Sequence, residues 1–284
     1  MIQILDGKRI AERLLKKLAK EVKKRGLKLT LAVVFVGKNE VSQKYLVQKR
    51  KASEKAGLGF RVYDFPGHIG QRELAEGIQK IALDRNNSGI VVQLPLPKKL
   101  AVDKILNLLP STKDPDCLTL VNFELFRQGN PLVLPPVVGA VKELLAEYRI
   151  KVANKSAFVV GAGQLVGLPV SIWLRREGAR VLVGDKKTKN LAGLVRKADI
   201  VISGAGCPGL VKGSMIKRGA AVIDCGTSVE NSQTVGDIET ESVTKKASFL
   251  APVPGGVGPL AVACLLENLV RSRASHKKNA EGGS

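Results

Sequence analysis

The sequence predicts an α/β protein made of two three-layer α/β domains, and three observations predict it. Helical and strand-like segments alternate through residues 8–94, a pattern that closes as a parallel sheet covered by helices. The run Gly89-Ile-Val-Val-Gln-Leu is apolar without alternation, which marks a strand buried on both faces of such a sheet. After a proline-rich link at 131–136, a second strand-turn-helix series opens around Gly161-Ala-Gly163. The 284-residue length suits about two domains.

Each element follows from local pattern. Ile10, Leu14, Leu18 and Val22 recur at steps of four before Gly26, giving an amphipathic helix over 8–25. An apolar strand is expected over 30–36, a helix over 40–56 stopped by Gly57, and an alternating strand over 60–65 before Pro66-Gly67. A helix over 71–85 follows, then the strand over 89–94, where Pro95 and Pro97 end ladder pairing. A short helix near 101–108 leads into a loop at 110–115. Beyond the link come a helix at 140–148, strands at 157–160, 180–183, 200–202 and 220–223, a helix at 165–177 and a closing helix over 259–270. The expected boundaries are 1–120 with the closing helix at 260–274 for one domain and 138–258 for the other. The polar, glycine-ending stretch 275–284 reads as a disordered tail.

Composition excludes several classes. No apolar run approaches the ~20 residues of a membrane span, and the N-terminus enters a charged helix too soon for a secretory signal. Cys117, Cys207, Cys225 and Cys264 form no C-x-x-C pair and do not group with His68 or His276 at metal-ligand spacing. Reduced thiols, a cytoplasmic location and no metal follow as expectations. The 46 Lys+Arg against 25 Asp+Glu give a net charge of +21. These charges spread along helices, as in Lys16, Lys17, Lys20, Lys23 and Lys24, and the stacking aromatics of single-strand binders are scarce. A plain lysine-rich surface is favoured over nucleic-acid binding, with a field that steers small anions as a milder functional reading.

Four places carry chemistry. Gly161-x-Gly163-x-x-x-Gly167 follows a strand and opens a helix, which lets backbone N–H groups approach the pyrophosphate of a nucleotide. Asp185 stands where a ribose-binding carboxylate is expected, and Lys186 and Lys187 beside it suit a 2′-phosphate instead; NAD and NADP both stay open. Residues 252–259, Pro-Val-Pro-Gly-Gly-Val-Gly-Pro, fix a backbone shape and strip away side chains, as a rigid turn or as a bed for a flat ring. Tyr45 and Lys49 share a helix face, Asp116 reads as a turn carboxylate, and Gln93 taken alone reads as a satisfied core amide.

Together these stretches resemble the methylenetetrahydrofolate dehydrogenase/methenyltetrahydrofolate cyclohydrolase family. Val36-Gly37…Ser42-x-x-Tyr45-x-Val47-x-Lys49-x-Lys51 resembles its catalytic helix, and residues 89–97 its G-x-x-V-Q-L-P-L-P strand. Lys113-Asp-Pro-Asp116, Val235-Gly-Asp237 and residues 252–259 resemble three further motifs in the same order. The resemblance implies that Lys49 is the catalytic centre with Gln93 as its hydrogen-bond partner. It implies that Tyr45 lines the folate pocket and that Asp116 holds the pterin edge, with Pro254, Gly255 and Gly256 also on the substrate. Gly161, Gly163, Gln164, Gly167, Asp185, Lys186, Lys187, Thr227 and Gly258 would bind the cofactor, NADP with NAD possible. An N-terminal folate domain, a C-terminal Rossmann-type domain, a cleft between them and a homodimer are also implied.

The expected activity is oxidation of 5,10-methylenetetrahydrofolate and hydrolysis of the methenyl product to 10-formyltetrahydrofolate, in one-carbon metabolism. The nucleotide half departs from the pattern. The usual G-R-S turn is Gly161-Ala162-Gly163, C-H-S is Gly184-Asp185-Lys186, D-V-G-I-N is Asp224-Cys-Gly-Thr-Ser228, and the glycine after the K-D-x-D loop is Cys117. Two rival readings are therefore kept: a cyclohydrolase with a vestigial nucleotide domain, and a basic nucleic-acid-binding protein on a reused scaffold.

Overall fold

A computed structural model describes residues 2–230 and 233–281. In chain order the elements are β1 (Gln3–Ile4), α1 (Gly7–Lys24), β2 (Thr30–Val36), α2 (Glu40–Lys55), β3 (Gly59–Phe65), α3 (Gln71–Leu83) and β4 (Gly89–Val92). Then follow α4 (Val102–Leu106), α5 (Leu120–Gln128), α6 (Pro136–Glu147), β5 (Ser156–Val160), α7 (Gly167–Arg176), β6 (Arg180–Gly184), α8 (Leu191–Val195) and β7 (Ile200–Ser203). The series ends with β8 (Ala221–Asp224), β9 (Ser228–Glu230), β10 (Gln233–Val235), α9 (Thr240–Thr244), β11 (Phe249–Ala251) and α10 (Val257–Glu281). Two compact units divide the chain: 12–136 with 262–284, and 1–11 with 137–261.

The first unit is built on a parallel sheet in the order β3-β2-β4. Residues along a strand alternate between the faces of its sheet, and Leu31 through Val36 are all buried, so both faces of β2 are covered. One face packs Ala32, Val34, Ile90 and Val92 against Leu74, Ile78 and Ile81 of α3 and Ile105 of α4. Strand β4 pairs with β2 alone, yet its four residues are buried. Its first residue, Gly89, leaves no room for a Cβ against Leu269 and sits close to Pro115. The five lysines of α1 named above are exposed, as a lysine-rich solvent face requires.

The second unit carries a six-stranded parallel sheet in the order β1-β11-β8-β7-β5-β6. Phe158, Val160, Val201, Val222 and Leu250 pack with Val195, Val211, Met215 and Val243 on one face. The alternate residues Val159, Ile202 and Ile223 are also fully buried, which sets a helical layer on the other face too. An antiparallel pair, β9 and β10, stands outside the sheet.

The observed division differs from the expected one at the N-terminus. Gln3 and Ile4 pair in parallel with Phe249 and Leu250, so residues 1–11 join the second unit rather than the first. The strand has two residues, too few for periodicity to reveal. The division at 136/137 falls at the end of the proline-rich link. Helix α6 starts at Pro136, earlier than expected, because a proline in the first turn gives up no helical hydrogen bond. In place of a disordered tail from 275, α10 stays helical to Glu281, in a stretch with no glycine or proline before Gly282. Residues 282–284 lie outside the described residues.

Candidate active site

Helix α2 begins where Asn39 accepts a bond from the Ser42 N–H at 2.9 Å, a side-chain cap of the usual kind. Two turns on, Lys49 is only 8 % exposed. Its Nζ donates to Gln93 Oε1 at 2.7 Å, one residue beyond β4. Gln93 is held from both ends: its backbone N–H donates to the Val34 carbonyl at 2.9 Å, and its Nε2 donates to the Leu94 carbonyl at 2.9 Å. The buried Ser42 hydroxyl reaches the same carbonyl at 3.3 Å. Tyr45 is half-buried on the same helix.

A neutral amide orients the amine without fixing it as a cation. Burial lowers the Lys49 pKa, and Asp116 opposes that shift, as desolvation and an opposite charge must. Asp116 answers in kind: burial pushes its carboxyl up to about 6, with Lys49 pulling it down and Asp114 pushing it up. The structure thus brings Lys49, Gln93 and Asp116 into one electrostatic group.

The loop carrying Asp116 is tied by residues the sequence reading passed over. Lys113 Nζ donates to the carbonyls of Ala82 and Asp84 at 2.8 and 2.9 Å, closing the C-terminal end of α3. Asp114 is buried and accepts from Thr119 N, Thr119 Oγ1 and Asn122 Nδ2 at 2.9, 2.7 and 3.0 Å. Asn268 of α10 donates to the carbonyls of Pro115 and Leu134 at 2.8 and 2.7 Å. Cys117, where the family pattern has glycine, adopts a left-handed φ of 58° and is fully buried. The signal for Asp114 was present in Thr119-x-x-Asn122, a helix start needing an acceptor nearby.

In the second unit, β5 ends at a turn that opens α7. Gly161 has φ 97°, and a Cβ there would lie 2.7 Å from the Gly204 carbonyl oxygen. A Cβ on Gly167 would sit 1.8 Å from the Gly161 carbonyl oxygen, so both glycines are required by close main-chain approach. A Cβ on Gly163 would meet nothing within 4 Å, and Gln164 beside it is exposed. The α7 N-terminus has no side-chain cap bond and no acid in its first turn. With Leu168 N–H bonded to the Gly163 carbonyl and no N–H on Pro169, what it offers an anion is chiefly the positive end of the helix dipole. The turn fits a dinucleotide pyrophosphate on these grounds.

Asp185 follows β6, but its Oδ1 accepts from Lys187 N at 2.9 Å and Thr188 Oγ1 at 3.2 Å. The carboxylate organises its own turn, while Lys186 and Lys187 are exposed. Thr227 is half-buried just before β9. In the 252–259 loop, the Gly255 carbonyl accepts from Lys8 N and the Pro252 carbonyl from Gly256 N, both at 2.9 Å. Pro254, Gly255, Gly256 and Gly258 therefore form a braced entry to α10 in the second unit.

Two buried acids were read only as family motifs. Asp237 accepts from Ser203 Oγ, Ala205 N and Cys207 N at 2.7, 2.6 and 2.8 Å. Asp224 accepts from Gly226 N, Asp237 N and Ile238 N; burial pushes its carboxyl up to about 6, against the pull of those N–H groups. Among the described residues, no three His, Cys, Asp or Glu side chains group as metal ligands, and no helix is long and apolar enough to cross a membrane.

Fold and site define a class: an α/β enzyme with a desolvated amine in one unit and a close-packed glycine turn opening a helix in the other. Residues 5–116 match the tetrahydrofolate dehydrogenase/cyclohydrolase catalytic domain, and residues 135–277 match the NAD(P)-binding domain of the same family. The chain belongs to the tetrahydrofolate dehydrogenase/cyclohydrolase family. It is 39% identical over 282 residues to the bifunctional protein FolD of Nitratiruptor, covering 98% of this chain and 100% of that one. The crystal structure of the FolD enzyme of Campylobacter jejuni superposes with a TM-score of 0.90 at 38% identity, over 97% of this chain and 100% of that one. The Trypanosoma brucei enzyme, solved with NADP cofactor and an inhibitor, gives 0.92 at 35% identity, over 97% and 98%.

Proposed function

We propose that this chain oxidises 5,10-methylenetetrahydrofolate with NADP+ and hydrolyses the methenyl product to 10-formyltetrahydrofolate. The observation that carries the reading is the buried 2.7 Å bond from Lys49 to Gln93, coupled to Asp116. Hydrolysis needs a proton removed from water as its oxygen adds to the methenyl carbon. It then needs a proton delivered to the folate nitrogen whose bond to that carbon breaks. An amine with a lowered pKa serves both steps, and Gln93 keeps its lone pair aimed without trapping a cation. Asp116 accepts two hydrogen bonds from the aminopyrimidinone edge. When bound, NADP+ supplies the hydride acceptor; the chain's part is the glycine turn and the α7 N-terminus on its phosphates.

NADP is favoured over NAD because the Asp185 carboxylate is engaged by its own turn while Lys186 and Lys187 face solvent. The reading extends to a cytoplasmic homodimer, supported by the family resemblance; sedimentation equilibrium yielding only monomer would remove the dimer.

The test is Lys49→Ala beside Gln93→Ala, with both reactions followed by methenyl absorbance. Lys49→Ala is expected to lower the hydrolytic kcat by at least ~10³-fold, within the range for loss of a proton-transfer group, and to abolish oxidation. Gln93→Ala damages both less uniformly. An unaltered rate in either variant refutes the pairing. Failure of the wild type to bind either nucleotide would leave a cyclohydrolase alone.

A further inference from the structure

The nucleotide turn does not stand by itself. The main chain of Gly204 and Ala205, just after β7, lies so close to Gly161 that a Cβ there would meet the Gly204 oxygen at 2.7 Å and the Ala205 Cα at 3.0 Å. From the other side, a Cβ on Gly204 would strike Val166, the residue that precedes α7. Gly204 N–H is itself bonded to the Val160 carbonyl at 2.8 Å, the last residue of β5. The turn can take one shape only while the 203–207 segment keeps its place.

Beyond its main-chain bonds, three groups of that segment converge on one side chain. Asp237 accepts the Ser203 hydroxyl and the N–H groups of Ala205 and Cys207 at 2.7, 2.6 and 2.8 Å. Asp237 is 0% exposed, so its position is fixed in turn by the chain around it. Its own N–H donates to Asp224 Oδ1 at 3.1 Å and the next N–H, of Ile238, to Asp224 Oδ2 at 3.0 Å. A Cβ on Gly226 would collide with the Asp237 carboxyl, and one on Gly236 with that of Asp224. Each acid is therefore enclosed by glycines where main chain must pass. Two buried carboxylates side by side repel, and Asp237 helps to push the Asp224 carboxyl up. Apolar residues at this spot would leave the N–H groups of Ala205, Cys207, Gly226 and Ile238 without these acceptors; the acids align those backbone donors.

We propose that Asp237, seated by Asp224, is a positioning residue for nucleotide binding: it holds the 203–207 segment as the template against which the Gly161–Gly167 turn takes its anion-binding shape. It touches no nucleotide and acts through the main chain. The inference rests on the dehydrogenase reading above.

The test is Asp237→Asn, which keeps the shape but turns an NH2 toward N–H groups that need an acceptor. Binding of NADP+ is measured by titration calorimetry, with the hydrolytic kcat/KM as a control read from the other unit. Wild type binds NADP+; Asp237→Asn raises Kd by about tenfold, the scale of a hydrogen bond to a charged group, and leaves hydrolysis within about twofold. Ser203→Ala removes one bond only and raises Kd by about threefold on the same scale. It decides the question if Asp237→Asn does not fold. Unchanged Kd in a folded Asp237→Asn, or in Ser203→Ala where the former is unfolded, overturns the proposal. A wild type that binds no nucleotide sinks the dehydrogenase reading instead, so the two failures are distinct.

Discussion

The two units solve their binding problems with opposite materials. In the catalytic unit the proposed function sits in buried side chains: an amide, and an amine and a carboxylate whose charge states depend on one another. In the nucleotide unit it sits in main chain: glycines admitted for close approach, an uncapped helix start, and acids turned toward the protein's own N–H groups. Chemistry done by side chains fixes residue identity. Chemistry done by backbone fixes shape and leaves the neighbouring side chains free to vary.

That contrast can be broken at defined points. The largest effect is expected from Gly167→Ala, whose Cβ would lie 1.8 Å from a carbonyl oxygen. Calorimetric titration should find NADP+ binding lost, with a stability cost of about 3 kcal/mol or more from forced main-chain movement, while a folded remainder still hydrolyses the methenyl substrate. If nucleotide binding survives, the turn is not the binding element.

Next comes the pH profile. Asp116 must be ionised to accept from the pterin edge, and its carboxyl is pushed up to about 6. Hydrolytic kcat/KM should therefore rise as pH increases through about 6, and Asp116→Asn should remove that limb along with most of the activity. A profile flat from pH 5 to 7 would show that the carboxylate is not needed in its charged form. Smaller is Lys186→Ala with Lys187→Ala. The Kd for NADP+ should rise by about tenfold, the worth of charge-assisted phosphate bonds, with the Kd for NAD+ unmoved. Equal losses for the two nucleotides would assign the lysines to general attraction.

The smallest is Cys117→Gly. It relieves the left-handed backbone by about 1 kcal/mol and removes a buried thiol of similar packing value. The midpoint of thermal unfolding should move by only a few degrees, with the activity kept. A large fall would give the Cys117 side chain a packing role that a left-handed loop position does not call for.

How much was legible follows the same division. The helix of Lys49 and the strand before Gln93 were written in periodicity and apolar runs, and their ends lie within a few residues of expectation. Residues that work through long-range hydrogen bonds were not. Asp237 gathers three donors from a segment that meets it only in the fold, and no local pattern distinguishes it from a turn acid. The donors to Asp114 lie nearby in Leu118, Thr119 and Asn122, where Thr119-x-x-Asn122 carried the signal. Strands β1 and β11 escaped because two or three residues carry no period. Helix α5 had a readable start at Thr119 and stop at Gly129, and was missed because Leu120 and Val121 face solvent.

Asn268 joins the Asp116 loop to α10, a helix made after every strand of the nucleotide unit. The first unit is discontinuous, 12–136 with 262–284, and Asn268 is its clasp on Pro115 and Leu134. On a ribosome, which delivers chain from the N-terminus, Lys49 and Gln93 emerge before the loop bearing Asp116, and that loop lacks its brace until α10 is out. The proposed proton-transfer site therefore reaches completion only after the sheet of the nucleotide unit has all its strands.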